Sequence, residues 1–282
     1  MGIVTKTFAT IRDPRWYQVF VLSLLLGFGI LVLDFGVRWQ NALAIFAMAQ
    51  LAQFLASHFI ARIPYDPLSA LITSYSLTLL LRTDVIALAM LAAVIAIGSK
   101  FLLRVRGKHV FNPANVALVS LMLLSDHAWI SAGQWGSATI GALALACLGM
   151  LVLTRARRAE TTLAFIAAYA GLLLGRALWL GDPLTIPLHQ VQNGALLIFA
   201  FFMISDPKTS PDARLGRILY GALVAAVAYV IQFVLYEPNA PILALILCAP
   251  VVPLIDFMLG GGSYRWQKPA ADSAVPVKGV YS

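Results

Sequence analysis

Four polar residues, Asn112, Asn115, Asp206 and Thr209, stand beside long apolar stretches, where their side chains could bind a ligand. Asn112 precedes Pro113 after a basic loop, and an Asn followed by Pro is a common helix start because Asn caps exposed amides. The same helix start could instead point its amides at an anionic or polar ligand. Asp206 could likewise cap the following turn or act as an ion or proton site near membrane depth. The sequence leaves both interpretations open.

The remaining reactive side chains do not form a metal or haem site by their spacing. Cys147 and Cys248 lie far apart inside apolar runs, with no Cys-x-x-Cys pair, so no iron–sulfur cluster is expected from this chain alone. A membrane haem needs paired axial ligands within helices. His58 ends an apolar segment and the other three histidines fall in loops, so neither haem nor another metal site is predicted.

The composition predicts a membrane protein. Hydrophobic residues make up 61% of the 282 residues and charged residues only 11%, whereas soluble domains carry about 25% charged residues. The net charge of +8 is spread in short clusters between apolar runs, which is the pattern of membrane proteins. The predicted partner is therefore the lipid bilayer, and nucleic-acid binding is not expected.

Ten apolar segments predict an all-α, polytopic fold of about ten transmembrane helices. Several approach the roughly 20 residues that cross a bilayer, while the third, fifth and eighth are shorter and carry Pro, Asn or Asp at one end. Such interrupted segments are typical of helices broken at membrane depth. The segments run near residues 16–33, 41–60, 68–81, 85–103, 112–124, 137–153, 162–179, 193–205, 217–235 and 240–258.

The basic residues predict the orientation. With ten helices, Arg38, Arg82 and Arg176 are the exceptions among the 20 Lys and Arg residues. All the others fall on one side, among them the basic residues of the predicted loop Lys100–Lys108. The positive-inside rule places that side, and both termini, in the cytoplasm. The predicted location is the bacterial inner membrane. Residues 1–259 form the expected membrane domain, and 260–282 a disordered cytoplasmic tail.

An inverted repeat of five plus five helices is predicted, with repeats near 16–124 and 137–258. In each half a short segment, a polar break, a long helix and an Asn/Pro helix start follow in the same order, with opposite orientation. The two helix starts are Asn112-Pro113 and Asn239-Ala240-Pro241. The alternative is that Asn-Pro and Asp-Pro are ordinary helix-entry signals in both places.

Three motifs resemble a known family. These are Gly107-Lys-His-Val-Phe-Asn-Pro-Ala-Asn115, Phe201-Phe-Met-Ile-Ser-Asp-Pro-Lys-Thr-Ser-Pro211 and Ala249-Pro-Val-Val-Pro-Leu-Ile-Asp256. Together they resemble the membrane protein family formed by the D subunits of Rnf electron-transport complexes and the B subunits of sodium-translocating NADH:quinone reductases, over roughly residues 40–260. Ser205 replaces the Thr that the family shows before Asp-Pro.

The resemblance implies a flavin-binding subunit of a membrane electron-transport complex. Such a subunit would pass electrons between other membrane redox subunits, coupled to ion translocation, and would not be an enzyme alone. The family attaches FMN to a Thr in a long outer insertion, and the nearest match here is Thr139. The insertion is missing and Gly133 stands where the motif has Asp. FMN or riboflavin is therefore expected to bind non-covalently, near Asn112, Asn115, Asp206 and Thr209.

Two other functions remain open at the level of sequence. An inverted repeat with polar breaks is also the architecture of urea- and ammonium-type channels, so a small-solute or ion channel or transporter is one alternative. This likeness is one of fold only. A structural subunit that has kept the fold and lost the cofactor is the other. A bound chromophore would separate the redox interpretation from both.

Overall fold

The computed structural model describes residues 13–33, 36–130, 148–150 and 159–261. Up to residue 130, the described helices are α1 (Pro14–Leu31), α2 (Trp39–Leu55, continued by a π-helical turn, Ala56–Ala61), α3 (Pro67–Leu80), α4 (Ile86–Leu102) and α5 (Pro113–Leu124). From residue 159 onwards they are α6 (Ala159–Leu180), α7 (Thr185–Val191), α8 (Gly194–Ile198, continued by a π-helical turn, Phe199–Met203), α9 (Arg214–Phe233), α10 (Ala240–Cys248) and α11 (Val251–Leu259).

Capping residues set several of these helix starts. Asp13 accepts a hydrogen bond from the Arg15 amide at 3.0 Å before α1. Asn193 does the same for the Ala195 amide at 2.8 Å before α8. Each cap satisfies an amide that has no partner within the helix.

Nine of the ten predicted apolar segments coincide with helices in the described residues. The last of these nine is divided, because α10 and α11 meet at Ala249–Pro250 with a bend of 52°. The sixth predicted segment, 137–153, falls almost wholly outside the described residues, as does the predicted tail. The stretch between the predicted segments 162–179 and 193–205 is partly helical, since α7 begins at Thr185 and meets α8 at an angle of 46°.

Three described helices are long and apolar enough to cross a membrane, namely Trp39–Ala61, Ala159–Leu180 and Arg214–Phe233. The number rises to five if each of the two bent pairs counts as one span. Four further apolar helices are shorter, with 10–17 residues. Large apolar side chains such as Leu31, Leu123 and Trp179 point outward and are 84%, 78% and 89% exposed. So much exposed apolar surface fits a lipid environment.

Two small antiparallel ladders join neighbouring helix ends. Strand β1 (Leu81–Thr83) follows α3 and pairs with β4 (Ala128–Ile130), with Arg82 opposite Trp129. Strands β2 (Arg104–Val105) and β3 (Lys108–His109) form a hairpin between α4 and α5. Gly107 has φ +78° at its turn, a conformation that favours glycine. This β2–β3 hairpin lies directly before Asn112.

Close packing of α6 on α9 supports the second half of the molecule. A Cβ added to Gly221 would lie 2.5 Å from the Thr161 carbonyl oxygen and 3.0 Å from the Phe165 nitrogen. The missing side chain therefore lets the two helix backbones approach. Small residues serve this purpose in membrane helix pairs.

Candidate functional site

A cavity lined mainly by polar and charged side chains has a volume of about 310 Å³. We call it the basic cavity, because four Lys or Arg side chains and only two carboxylates line it in the described residues. The charged residues are Arg15, Asp66, Lys100, Arg104, Asp206 and Lys208. The other lining residues are Gln18, Gln53, Ile63, Ser69, Ile72, Thr73, Ser76, Phe101, Gly107, His109, Asn112, Pro113, Ala114, Phe201, Phe202, Ser205 and Pro207.

Asn112 lies at the wall of the basic cavity and caps α5. Its Oδ1 accepts the Asn115 amide at 3.1 Å, so the capping interpretation is confirmed. Its Nδ2 donates to the Met203 carbonyl at 3.3 Å. The side chain therefore connects the start of α5 to the end of the π-helical turn after α8, two regions 91 residues apart.

Asp206 also caps a turn and also lines the basic cavity. Its Oδ1 accepts the Lys208 amide at 2.9 Å, while its carbonyl accepts the amides of Thr209 and Ser210. Thr209 is 5% exposed and packs in this turn without lining the cavity. Asp206 therefore caps the turn as predicted, while its function as an ion or proton site stays a prediction.

Asn115 and Thr139 have different outcomes. Asn115 is 1% exposed, and neither its Oδ1 nor its Nδ2 has a hydrogen-bond partner within the described residues. A buried amide without partners is unusual in native proteins, which keeps Asn115 a candidate, although it does not line the basic cavity. Thr139 falls outside the described residues.

Lys100 is the residue that the sequence reasoning missed. Its position near the end of an apolar segment suggested a loop with Arg104, Arg106 and Lys108. Instead it belongs to α4 and is only 4% exposed, with its Nζ donating to the carbonyl and hydroxyl oxygens of Ser69. The available signal was its place within the segment 85–103, since a lysine inside a membrane helix is a functional candidate.

Asp66 forms an ion pair and does not cap the helix that follows it. It occupies the position before Pro67, yet its side chain makes no capping hydrogen bond. Its Oδ2 pairs with Arg15 Nη1 at 2.5 Å, and Arg15 also binds Asp13 at 2.7 Å. One guanidinium therefore joins the start of α1 to the start of α3 at the rim of the basic cavity.

Burial and neighbouring positive charges lower the pKa values of two basic groups that line this cavity. Burial lowers the pKa of His109 to about 4, helped by the nearby charges of Arg104, Lys100 and Lys208. Burial also lowers the pKa of Lys208, against the opposing effect of Asp206. His109 is therefore neutral at physiological pH, and its imidazole can donate or accept a hydrogen bond in the cavity.

A second cluster of ion pairs holds the β2–β3 hairpin against α11 and against the residues just before α9. Lys108 Nζ lies 2.7 Å from Asp256 Oδ2 and 3.2 Å from Asp212 Oδ1. Asp256 also accepts the Asp212 amide at 2.7 Å. Because Gly107 and His109 line the basic cavity, these contacts fix one of its walls.

Arg214 and Arg217 do not reach the basic cavity. Both pair with Glu160, at 3.6 and 3.3 Å respectively. Of the three basic residues between Asp206 and the first turn of α9, only Lys208 lines the cavity. The structure therefore brings Asn112, Asp206 and Lys208 together and keeps the two arginines apart from them.

A smaller cavity of about 130 Å³ lies at the start of α8 and α10. We call it the amide cavity, because Gln190, Asn193, Gln232 and Asn239 line it. Tyr169 donates its hydroxyl hydrogen to Gln232 Oε1 across one wall. Leu80, Ile130, Ala195, Leu196, Phe199, Pro238, Pro241 and Ile242 complete the lining.

The donor set of the basic cavity fits a flat, partly polar ligand. Phe201, Phe202 and Ile72 provide apolar surface, while Asn112 and His109 provide polar groups. The volume is near the lower end of small-molecule sites, roughly 300–1,000 Å³. An isoalloxazine ring has one apolar edge and one edge of carbonyl and ring nitrogen atoms, so it matches this division. Among the described residues, no group of three His, Cys, Asp or Glu could hold a metal ion.

Comparison with known proteins gives one family. The model described as "NQR2, RnfD, RnfE family" matches residues 123–264. The matched region includes Asp206 and Thr209 and leaves out Asn112, Asn115 and Lys100.

Curated relatives point to the same family. A protein of Tolumonas auensis, described as the D subunit of an ion-translocating oxidoreductase complex, is 37% identical over 71 residues, 25% of this chain and 20% of that protein. Proteins of the same description from Escherichia coli and Shigella boydii are 29% identical over 132 residues, 46% of this chain and 33% of theirs. The matched segments thus span between a fifth and a third of the relatives' length.

Proposed function

Because the chain belongs to the NQR2, RnfD, RnfE family, we propose that it is a flavin-binding membrane subunit of an electron-transport complex. It passes electrons between partner subunits, and this transfer is coupled to ion translocation. The chain is a multi-pass membrane protein of an oxidoreductase complex family. The flavin, FMN or riboflavin, is bound non-covalently in the basic cavity. The main support for this proposal is that Asn112 and Asp206, from distant parts of the sequence, line one cavity with Phe201 and Phe202.

The proposed topology has ten spans in the bacterial inner membrane, with both termini in the cytoplasm. The nine predicted segments that coincide with helices support it, together with the one-sided distribution of basic residues. In this topology the basic cavity opens to the cytoplasm and the amide cavity to the opposite side. The inverted repeat then relates the start of α5 to the start of α10.

A bound flavin would supply one- and two-electron transfer, and the chain's own residues would hold it. Phe201 and Phe202 pack against the ring. The Asn112 amide and the His109 imidazole orient its polar edge. The positive end of the α5 helix dipole favours electron-rich carbonyl groups at this place.

Absorbance of the purified protein tests the proposal. The protein is expressed in its native host, purified in mild detergent with its partners, and examined between about 350 and 500 nm. A flavin spectrum, with a denaturing gel that is dark under ultraviolet light, is the expected result for non-covalent flavin. A folded protein without any chromophore would contradict the proposal.

Two Asn variants locate the site. Asn112→Ala is expected to lower the flavin content about tenfold, the effect of one good polar contact. Asn193→Ala is the matched control, because Asn193 also caps a helix but lines the amide cavity. Equal loss in both variants would indicate that capping alone is involved, and would remove the flavin from the basic cavity.

One observation favours the channel alternative. Ser69, Thr73 and Ser76 follow one face of α3 and all line the basic cavity, so a polar stripe extends from Asp66 into the membrane segment. Solute flux into proteoliposomes, measured by stopped-flow light scattering with urea, tests it. Flux above protein-free vesicles, in a preparation without flavin, would favour transport over electron transfer.

A further inference from the structure

The ammonium group of Lys100 sits among three neutral oxygen atoms. Its Nζ lies 3.0 Å from the Ser69 carbonyl oxygen, 3.1 Å from Ser69 Oγ and 3.5 Å from Gln53 Oε1. We call these three atoms the oxygen cage. They come from α2 and α3, whereas Lys100 comes from α4, so three helices converge on one point.

Neighbouring hydrogen bonds fix the orientation of the cage. Gln53 is 4% exposed, and its Nε2 donates to Ser57 Oγ at 3.4 Å, which leaves Oε1 to face Lys100. Ser69 lies in the first turn of α3, and its carbonyl also accepts a hydrogen bond from the Thr73 hydroxyl at 3.0 Å. The three oxygen atoms therefore keep their positions even if the Lys100 side chain changes conformation.

The chemistry of the cage is that of a monovalent-cation site. A backbone carbonyl, a hydroxyl and an amide oxygen are hard, uncharged ligands, and broken helices in transport proteins use such oxygens to coordinate Na⁺. Two carboxylates, Asp66 and Asp206, line the same cavity and favour a positive charge there. A buried lysine is otherwise costly inside a membrane, so these oxygens offset the loss of water around its ammonium.

We infer that the oxygen cage is a monovalent-cation site whose occupant is the ammonium group of Lys100. The tethered ammonium excludes free Na⁺ from the cage, and removing it opens the site to Na⁺. The cage itself does not depend on flavin binding.

Sodium-dependent unfolding of Lys100→Ala tests the inference. Thermal midpoints are measured for the full chain in detergent, in 100 mM NaCl against 100 mM choline chloride. We expect equal midpoints for the wild type. For the variant we expect a midpoint about 3–6 °C higher in Na⁺ than in choline, as for an ion that binds with millimolar affinity.

Arg104→Ala is the matched control. Arg104 lines the same cavity but does not contribute to the oxygen cage, so its variant should respond equally to the two salts. A folded Lys100→Ala protein that does not distinguish Na⁺ from choline would overturn the inference. A Na⁺-specific rise in the wild type would do so too, because the cage would then not be filled by lysine.

Gln53→Glu provides the second test, should Lys100→Ala fail to fold. This change puts a carboxylate of nearly the same shape beside an intact Lys100. A charged ammonium in the cage predicts a higher thermal midpoint for Gln53→Glu than for Gln53→Leu, which removes the cage oxygen, because only the carboxylate can pair with the ammonium. A lower midpoint for Gln53→Glu than for Gln53→Leu would indicate a neutral amine that cannot compensate the carboxylate, and would overturn the inference. None of these measurements requires flavin or electron transfer.

Discussion

The basic cavity and the amide cavity resemble each other in backbone structure and differ in the charge of the side chains that line them. Each lies where an Asn caps the start of a helix, Asn112 for α5 and Asn193 for α8. The basic cavity has about 310 Å³ and six charged side chains in its lining. The amide cavity has about 130 Å³, and its lining, within the described residues, is uncharged.

This difference teaches that helix starts alone do not decide what a membrane cavity can bind. The walls of the basic cavity are held by ion pairs, Arg15 with Asp66 and Lys108 with Asp256. The amide cavity is held by a neutral contact between Tyr169 and Gln232. Buried charges that lose a partner cost more than neutral groups do. Changes at the two cavities should therefore differ in size and in pH dependence.

Lys108→Ala should have the greatest effect on stability. It leaves Asp212 and Asp256 side by side without their shared cation, and all three side chains are at most 18% exposed. We expect a loss of about 3 kcal/mol in the free energy of unfolding, near the lower end for broken buried pairs. Thermal unfolding in detergent at pH 7.5 measures it.

Lys108→Arg is the control for this change, because it keeps the positive charge. It should retain most of the stability of the wild type. If Lys108→Ala is no less stable than Lys108→Arg, then the ion pairs do not hold the wall of the basic cavity, and the contrast with the amide cavity disappears.

Local signals in the sequence predicted much of this arrangement. Asn112 followed by Pro113 marks a helix start, and α5 begins there. Nine predicted apolar segments are helical, because a backbone in lipid must form its hydrogen bonds within its own segment. Asp206 also caps the turn that its Asp-Pro pattern indicates.

Contacts between distant residues could not be predicted in this way. Nothing near Asp66 in the sequence shows that Arg15, 51 residues away, will pair with it. Lys100 was grouped with loop cations, because charge near a segment end usually snorkels to the surface. Its burial depends on Gln53 and Ser69, which lie on other helices. The two short ladders pair positions, such as Arg82 with Trp129, without any alternating strand pattern.

Acid should weaken the basic cavity through His109. The folded protein keeps this imidazole neutral down to a pKa of about 4, whereas an unfolded chain binds the proton near pH 6.5. The unfolded state therefore binds more protons between these two values, and stability is lost as the pH falls from about 6.5 to 4. We expect a loss of about 2 kcal/mol over this range.

Two histidine variants isolate this effect in thermal unfolding measured from pH 7.5 to 4.5. His109→Gln should flatten the decline below pH 6.5. His127→Gln is the control, because His127 lines neither cavity. A decline that persists in His109→Gln would assign the acid sensitivity to other groups.

Tyr169→Phe should have the smallest of the three effects. It removes one neutral hydrogen bond at the amide cavity and keeps the ring, which stacks on Phe165 with centroids 5.5 Å apart. The expected loss is about 1 kcal/mol, that of one hydrogen bond whose acceptor remains partly buried. Thermal unfolding, measured in parallel with that of Lys108→Ala, gives this loss of stability. Because no charge is involved, the loss should also be the same at pH 7.5 and pH 5. A loss as large as that of Lys108→Ala would mean that the amide cavity, despite its neutral lining, is held as strongly as the basic cavity.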